Sequence, residues 1–227
     1  MQFPTFKPVA DHALLIEFGT QVDDALNRRV VALDKTISQA KIIGVVELVP
    51  ALVNLLIVFD PVKTTHKDLE TAVRDLFPLK EAEEADAKVH RVPICYDTEL
   101  CPDLAVVAKT VGLSIEAVIA EHAASELRVS MYGFAPGFAY LSGIPKTIQV
   151  PRKPSATRGI PTGQVMIAGP QCLVTTVVMP TGWSIIGRTA LKVIQDDPDN
   201  PFLFNVGDTV AFDRVRRQDL PAEMQIP

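Results

Sequence analysis

Glycine and proline are distributed unevenly along this 227-residue chain. Residues 1–130 contain 3 glycines and 7 prolines, whereas the shorter span 131–227 contains 9 glycines and 11 prolines. Both residue types interrupt regular structure, because proline lacks a backbone donor and glycine readily adopts turn conformations. The first span is therefore predicted to hold longer helices and strands, and the second to consist of short strands joined by turns. We place the domain boundary near residue 90, which gives domains over 1–90 and 91–227.

The first domain alternates between strand and helix patterns. Residues 22–38 and 67–77 have the apolar spacing of amphipathic helices, and Thr65 with Asp68 forms a capping pair before the second. Strand-like runs cover 13–18, 45–49, 54–59 and 88–96. The order strand, helix, strand, strand, helix, strand predicts an N-terminal ferredoxin-like (split βαβ) domain.

The second domain begins with two short predicted helices, 102–111 and 115–124, and continues with strand-like runs. Those runs cover 128–132, 165–168, 172–179, 184–186, 190–194 and 209–212. A closed β-barrel accommodates many short strands without leaving unpaired edges. The fold class expected for the whole chain is therefore α+β.

Charge and composition exclude several classes of protein. The formal net charge of -5 argues against a nucleic-acid binder, and the second helix of the predicted pair contains no Lys or Arg to contact phosphates. No apolar run is long enough to span a membrane, and no secretory leader pattern is present. The three cysteines and four histidines lack metal-site spacing. We expect a cytoplasmic protein without a metal site.

A long segment of the second domain contains no acidic residue. The 69 residues between Glu126 and Asp196 include seven cations, which predicts a positive potential suited to a small anion. The alternative is that turn-rich β segments are simply poor in acids. Arg158, Arg188, Arg152 and Lys153 are the candidate anion-binding cations, and the arginines are preferred because a guanidinium pairs bidentately with carboxylate or phosphate. For Arg152 and Lys153, a solvated basic loop is the other interpretation.

Two glycine-containing loops of this domain carry aromatic side chains. The segment 133–145 places Phe134, Phe138 and Tyr140 among glycines and prolines, which suits either a binding cleft or a hydrophobic plug between the domains. The turn 180–189 contains Trp183, which is either a core residue or part of a ligand surface.

His122 is the candidate catalytic residue, as a proton shuttle, with a hydrogen-bonded structural role as the alternative. No phosphate-loop or GxSxG motif occurs, and the acid-free segment has no carboxylate to act as a base. We therefore expect catalytic acid or base groups to come largely from a partner.

Four segments in this order and spacing resemble one known family: GFAPGFAYLSGIP, VPRKPS, IPTGQVMIAGPQ and PTGWSIIGRT. The family includes allophanate hydrolase subunit 1, the B-subunit of 5-oxoprolinase and a sporulation-kinase inhibitor, and the resemblance extends from about residue 8 to about residue 215. It implies an N-terminal α/β domain followed by a cyclophilin-like β-barrel.

The resemblance also implies an activity and partners. The partner would be a larger carboxyltransferase-like subunit, of the kind found as allophanate hydrolase subunit 2 or as the C-subunit of 5-oxoprolinase, acting together with a lactam-utilisation protein. Such assemblies cleave 5-oxoproline to glutamate with ATP. The alternatives are hydrolysis of allophanate or another urea-derived amide, carboxyl transfer, and inhibition of a histidine kinase. Biotin is not expected to bind this chain, which has no carrier-like lysine motif.

Two departures from the family pattern bear on the site. The chain reads GPQCLVTTVVMP where many members read close to GGQTGIYP, and Pro180-Thr181-Gly182-Trp183 where they read PGGW. The predicted site also includes Thr189, which follows Arg188, as a substrate-binding residue. The remaining site residues are transferred through the resemblance. Those transferred residues are Phe134, Pro136, Gly137, Phe138, Tyr140, Arg158, Gly169, Gln171, Gly182, Trp183, Gly187 and Arg188.

Overall fold

The computed structural model describes residues 3–79 and 87–225. The chain divides into two compact units, Met1–Asp86 and Ala87–Pro227. The fold is α+β and includes a closed β-barrel, as the sequence predicts.

The first unit builds one antiparallel sheet, which has four strands in the part of the chain described, in the order β1-β2-β4-β3. Its strands are β1 (Thr5–Val9), β2 (Ala13–Glu17), β3 (Val45–Pro50) and β4 (Asn54–Phe59). Its helices are α1 (Asp24–Ala40) and α2 (His66–Arg74).

Helix boundaries in this unit follow from side-chain caps. The Asp23 carboxylate accepts hydrogen bonds from two backbone N–H groups of the first turn of α1. The Thr65 hydroxyl accepts from the backbone N–H of Asp68 at 3.2 Å, which confirms the predicted capping pair of α2. The apolar stripe of α1, through Val30 and Leu33, packs against the sheet in the core of this unit.

The ferredoxin-like order is wrong in its last element. The predicted strand 88–96 is β5 (Val89–Cys95), and it pairs in parallel with β13 (Thr209–Val215) of the second unit. The first sheet instead contains β1, which the sequence pattern did not predict. Alternation identifies a strand, but it does not identify the partner with which that strand pairs.

The second unit begins with α3 (Leu104–Val111) and α4 (Ile115–Ala123) and forms a barrel. Its further strands are β6 (Glu126–Tyr132), β7 (Ala139–Ser142), β8 (Thr157–Ile160), β9 (Gln164–Ala168), β10 (Gln171–Val174), β11 (Met179–Thr181) and β12 (Ser184–Arg188). The barrel closes in the order β10-β7-β6-β13-β5-β12-β9, and β11 pairs with β8 in a separate ribbon. The predicted strand 190–194 is wrong, since only Ile194 makes an isolated bridge, to Phe202.

Strand β9 shows how this unit is layered. All five of its residues are buried. Val165 and Ile167 belong to the main core, whereas Met166 and Ala168 belong to a second cluster that contains Trp183. Because neighbouring strand residues point to opposite faces, both faces of β9 are covered.

Candidate functional site

Four aromatic side chains form a continuous row in the second unit. The ring centroids of Phe134 and Phe138 are 5.4 Å apart, those of Phe138 and Tyr140 are 6.0 Å apart, and those of Tyr140 and Trp183 are also 6.0 Å apart. The Arg152 guanidinium lies over the Trp183 ring, 5.5 Å from its centroid. The two predicted pocket segments, 133–145 and 180–189, are therefore in contact through Tyr140 and Trp183. Arg152, a predicted anion-binding cation, lies at the Trp183 end of the row.

The loop that begins this row is held by hydrogen bonds. The backbone N–H of Gly133 donates to the carbonyl of Phe138, and the N–H of Phe138 donates to the carbonyl of Ala135. The Thr176 hydroxyl donates to the Pro136 carbonyl at 2.7 Å. Phe134 has φ +73°, a region that favours glycine, and its side chain is 74% exposed. The loop thus presents one aromatic side chain to solvent on a fixed backbone, while Phe138 and Trp183 are buried.

The predicted anion-binding cations Arg152, Lys153 and Arg158 differ in their surroundings. We term residues 150–156, which hold the first two, the basic loop; Arg158 lies on β8. The Lys153 ammonium lies 2.8 Å from a carboxylate oxygen of Asp103, just before α3. That oxygen also accepts from the backbone N–H of Ile185 at 2.8 Å. We therefore assign Lys153 to anchoring the loop rather than to binding an anion. Arg152 and Arg158 are exposed, and no carboxylate of residues 3–79 or 87–225 lies within 4 Å of either.

Asp103 is the residue that sequence reasoning missed. It lies outside the acid-free segment, yet the fold brings its carboxylate to the cation of that segment. A segment that contains no acidic residue can therefore still have a carboxylate beside it in the folded protein. The available signal was the position of Asp103 at the start of the predicted helix 102–111. Nothing in the local sequence indicated that Lys153 would be its partner.

Arg188 ends β12 inside the unit, and Thr189 follows it. Arg188 is 7% exposed, and burial lowers the pKa of its guanidinium. Thr189 is fully buried, and its backbone N–H donates to the carbonyl of Gly163 at 2.8 Å. Gly187 lies against Ile94 so closely that a Cβ would clash with that side chain. Gly187 was predicted to line a pocket; in the structure it allows β12 to pack closely against Ile94.

Thr189 lines a cleft of about 370 Å³ in the second unit. The polar groups of the cleft, which we term the threonine cleft, are Thr162, Thr175, Thr176, Thr189, Lys192 and Glu223. Ile194 and Met224 are among its apolar walls. The aromatic loop borders the cleft, because Thr176 bonds to Pro136 and a Cβ on Gly137 would lie 2.8 Å from Ile194.

Gln171, Gly169 and Gly182 occupy turns. Gln171 is half-buried at the start of β10, and Gly169, at φ +53°, donates its N–H to the carbonyl of Val150. The carbonyl of Gly182 accepts from the backbone N–H of Lys153 at 2.6 Å. These residues shape the loops around β9 and β12, and none is among the residues that line the threonine cleft.

His122, the candidate proton shuttle, lies in the barrel core. Its side chain is fully buried and stacks on Phe212 with a centroid distance of 4.8 Å. The Tyr96 hydroxyl lies 2.7 Å from Nδ1, and Cys172 Sγ lies 3.7 Å from Nε2. Burial lowers the pKa of the imidazole to about 3, so it is neutral at physiological pH. We assign His122 to the structural role that the sequence left open.

No group of three or more His, Cys, Asp or Glu side chains within 3–79 and 87–225 is arranged to hold a metal ion. Over the same residues, no helix combines the length and the apolar character that a membrane crossing requires.

Fold and site together define a two-unit α+β protein whose closed barrel carries a polar cleft beside a row of aromatic side chains. The model of one family, described as carboxyltransferase domain, subdomain C and D, matches residues 4–204. The chain belongs to this family, which confirms the resemblance seen in its loop segments.

Curated relatives match the chain over nearly their full length. The B-subunit of 5-oxoprolinase from Bacillus subtilis is 34% identical, with 94% of each chain covered. The B-subunit of 5-oxoprolinase from Escherichia coli O157:H7 is 31% identical, with 90% of this chain and 93% of the relative covered.

Solved structures share the fold. A protein named TTHA0988 is 31% identical with a TM-score of 0.79; the match covers 90% of this chain but only 40% of TTHA0988. A conserved uncharacterized protein from Pyrococcus horikoshii is 35% identical with a TM-score of 0.56, over 95% of this chain and 99% of the other. The K. lactis urea amidolyase has a TM-score of 0.75 at 18% identity, over 95% of this chain and 15% of that chain, which shows a common fold alone.

Proposed function

We propose that this chain is the small subunit of a multi-component amidohydrolase that converts 5-oxoproline, ATP and water to glutamate. The observation that supports this most strongly is the likeness to two relatives named as the B-subunit of 5-oxoprolinase, which covers at least 90% of both chains in each pair. A match over most of both chains favours a subunit of the same kind of system.

An exposed apolar surface supports a partner. Phe134 and Val178 are 74% and 69% exposed, and Ile194 and Phe202 are also exposed. We term these four residues the apolar rim. The segments that carry them adjoin one another: Thr176, two residues before Val178, bonds to Pro136, two residues after Phe134. Gly137 packs on Ile194, and Ile194 bridges to Phe202. Exposed apolar groups on adjoining segments favour a protein interface.

We assign the apolar rim to contact with a larger carboxyltransferase-like subunit. In TTHA0988 a module similar to this chain makes up 40% of a longer polypeptide, so it is joined there to further chain. A lactam-utilisation protein would be the third component.

The partner would also supply most of the catalytic acid and base groups. His122 is buried and neutral, and Glu223 is the carboxylate among the residues that line the threonine cleft. The chain by itself is therefore expected to be inactive. Arg152 and Arg158 are the proposed contacts for ATP phosphates, because both are exposed cations. Arg188, next to Thr189, would add to the positive potential near the cleft, and Gln171 stays a predicted contact.

A second function follows from the family description. The name carboxyltransferase domain favours a role in carboxyl transfer or in hydrolysis of a urea-derived amide such as allophanate. Carboxyl transfer would need a separate biotin carrier protein.

The test is a reconstitution with the larger subunit and the lactam-utilisation protein of the same genome. Glutamate formation and ATP hydrolysis are measured with 5-oxoproline or with allophanate, with and without this chain. We expect 5-oxoproline-dependent turnover only in the complete mixture. Turnover of allophanate alone would support the second function, and no substrate-stimulated turnover of either kind would refute both.

A further inference from the structure

Strand β3 leaves one edge of the first unit's sheet open. It is the last strand in the order β1-β2-β4-β3 among the described residues, so no further strand pairs with its outer side there. Val46, which lies at a register shift in this strand, is 68% exposed. An open edge of this kind is able to pair with an extended segment of another chain.

A groove of about 580 Å³ lies beside this edge, between the second half of α1 and β3. We term it the edge groove. Ile42, Val45 and Leu48 are apolar parts of its lining that also pack on the core of the first unit. The edge groove shares no residue with the threonine cleft or the apolar rim, which belong to the second unit. It thus offers a second apolar surface, next to backbone groups that can pair.

Asp34 is the polar group of the groove that points to a ligand. Its carboxyl is half-buried in the lining, and it has no hydrogen bond or ion pair with residues 3–79 or 87–225. Burial raises the pKa of Asp34 to about 6 and outweighs the opposing charge of Lys35. A basic group placed beside this carboxyl would favour its ionised form and form a charge-assisted hydrogen bond with it.

The charges of the groove restrict the occupant. Asp34 and Glu47 contribute two acidic groups, and Lys41 contributes one cation. Two copies of this chain paired edge to edge would bring both pairs of acids together, which like-charge repulsion disfavours. A segment that carries Lys or Arg is favoured instead, because it would place a cation beside Asp34.

We propose that the edge groove binds an extended segment of a partner protein that presents one Lys or Arg between aliphatic residues. The segment adds to the sheet as a strand beside β3. Because side chains alternate along a strand, those at every second position point into the groove. The basic group pairs with Asp34, and the aliphatic groups two positions away contact Ile42 and Leu48. No residue of the second unit takes part, so the site stands apart from the proposed function.

The experiment uses random heptapeptides displayed on phage as the probe. They are selected on the immobilised full chain after depletion on Asp34→Asn, which leaves peptides that depend on the carboxyl. Asn keeps the shape of the side chain and removes a charge that burial disfavours, so this variant should fold. We expect the enriched peptides to carry Lys or Arg with an aliphatic residue two positions away. No enrichment, or enriched peptides without a basic residue, would overturn the proposal.

A charge swap tests the pairing independently of the selection. The most enriched peptide is synthesised with a fluorescein label, and its affinity for each purified chain is measured by fluorescence anisotropy. We expect Glu47→Lys to weaken its binding by about tenfold or more, and a peptide with Glu in place of the basic residue to prefer that variant. Asp75→Lys, at the exposed end of α2 and outside the groove, is the matched control that should bind as wild type does. Equal affinity of the selected peptide for all three chains would contradict the site.

Hydrogen exchange measured by mass spectrometry tests strand addition on the wild-type chain. We expect the bound peptide to slow amide exchange in residues 45–49 of β3 and to leave β1, at the other edge of the sheet, unchanged. No protection of β3 would overturn the proposal. Protection that rises with the concentration of the chain alone would assign the edge to a second copy and would overturn it as well.

Discussion

At the scale of single residues, His122 shows how burial determines chemistry. An imidazole beside a loop-rich segment suggests proton transfer, because its ordinary pKa is near neutrality. In the barrel core it lies among Tyr96, Cys172 and Phe212 without solvent contact. Its pKa of about 3 makes it a neutral packing and hydrogen-bonding group.

This buried imidazole predicts a pH dependence of stability. Above the ordinary pKa of 6.5 neither the folded nor the unfolded state is protonated at this site. As pH falls from 6.5 toward 3, only the unfolded state takes up a proton, so the free energy of unfolding decreases by up to about 1.4 kcal/mol per pH unit. We expect urea unfolding between pH 4.5 and 7 to show this slope.

The chain's only tryptophan, Trp183, lies in the same unit as His122, so its fluorescence reports the relevant transition. His122→Gln is the comparison variant, since it lacks the titrating group. Its stability should depend distinctly less on pH over the same interval. Parallel profiles for the two proteins would contradict the assignment of a depressed pKa.

Residue types alone identified the cations and aromatic groups, but not their surroundings. Arg152 and Lys153 are neighbours in sequence, yet one lies over Trp183 and the other is paired with Asp103. Distinguishing them requires knowing where the start of α3 lies, which depends on contacts between residues 50 positions apart. The residues next to Lys153 in the sequence do not indicate that Asp103 will lie beside it.

At the scale of elements, Asp103 connects the start of α3 to both β12 and the basic loop. One carboxylate oxygen accepts from the Ile185 N–H and the Lys153 ammonium, and the Asp103 N–H donates to the Ile185 carbonyl. The loop 150–156 is thus attached to the helix by a charged hydrogen bond in a partly buried setting.

This connection predicts unequal effects for its two partners. Asp103→Ala leaves both the Ile185 N–H and the Lys153 ammonium without their acceptor, and we expect a loss of about 2 to 3 kcal/mol in the free energy of unfolding. Lys153→Met removes a partly exposed ion pair and a hydrogen bond to the Thr157 hydroxyl but leaves the Ile185 N–H bonded to Asp103, and we expect a loss of about 1 kcal/mol or less. Denaturant unfolding monitored by Trp183 fluorescence measures both, and equal losses would contradict this account.

Periodicity predicted the helices and most strands, because α1, α2 and β9 have apolar patterns that match their buried faces. Periodicity gave wrong predictions where the pairing between strands determines whether a segment forms a strand and which sheet it joins. The run 190–194 is apolar enough for a strand but contributes only the bridge of Ile194, and β5 pairs with a strand about 120 residues away. Strand partners are selected by the closure of the whole barrel, which a local pattern does not encode.

At the scale of the whole molecule, the loops that define the family lie together around the barrel. The aromatic loop borders the threonine cleft, and Ile194 belongs both to the apolar rim and to the lining of the cleft. Loop composition indicated this candidate face from sequence, since binding residues are disproportionately found on loops. The cleft itself was not predicted, because Thr162, Thr176 and Glu223 come from segments that only the folded barrel brings together.

We propose that a larger carboxyltransferase-like subunit completes this face. The most direct measurement is sedimentation velocity of this chain mixed with that subunit, using wild type, a Phe134→Ser and Val178→Ser double variant, and Val62→Ser. Val62 is a matched control, being 93% exposed in the first unit. The account predicts a complex with wild type and Val62→Ser, and an affinity at least tenfold weaker with the double variant. No complex with wild type, or equal affinity for all three proteins, would contradict it.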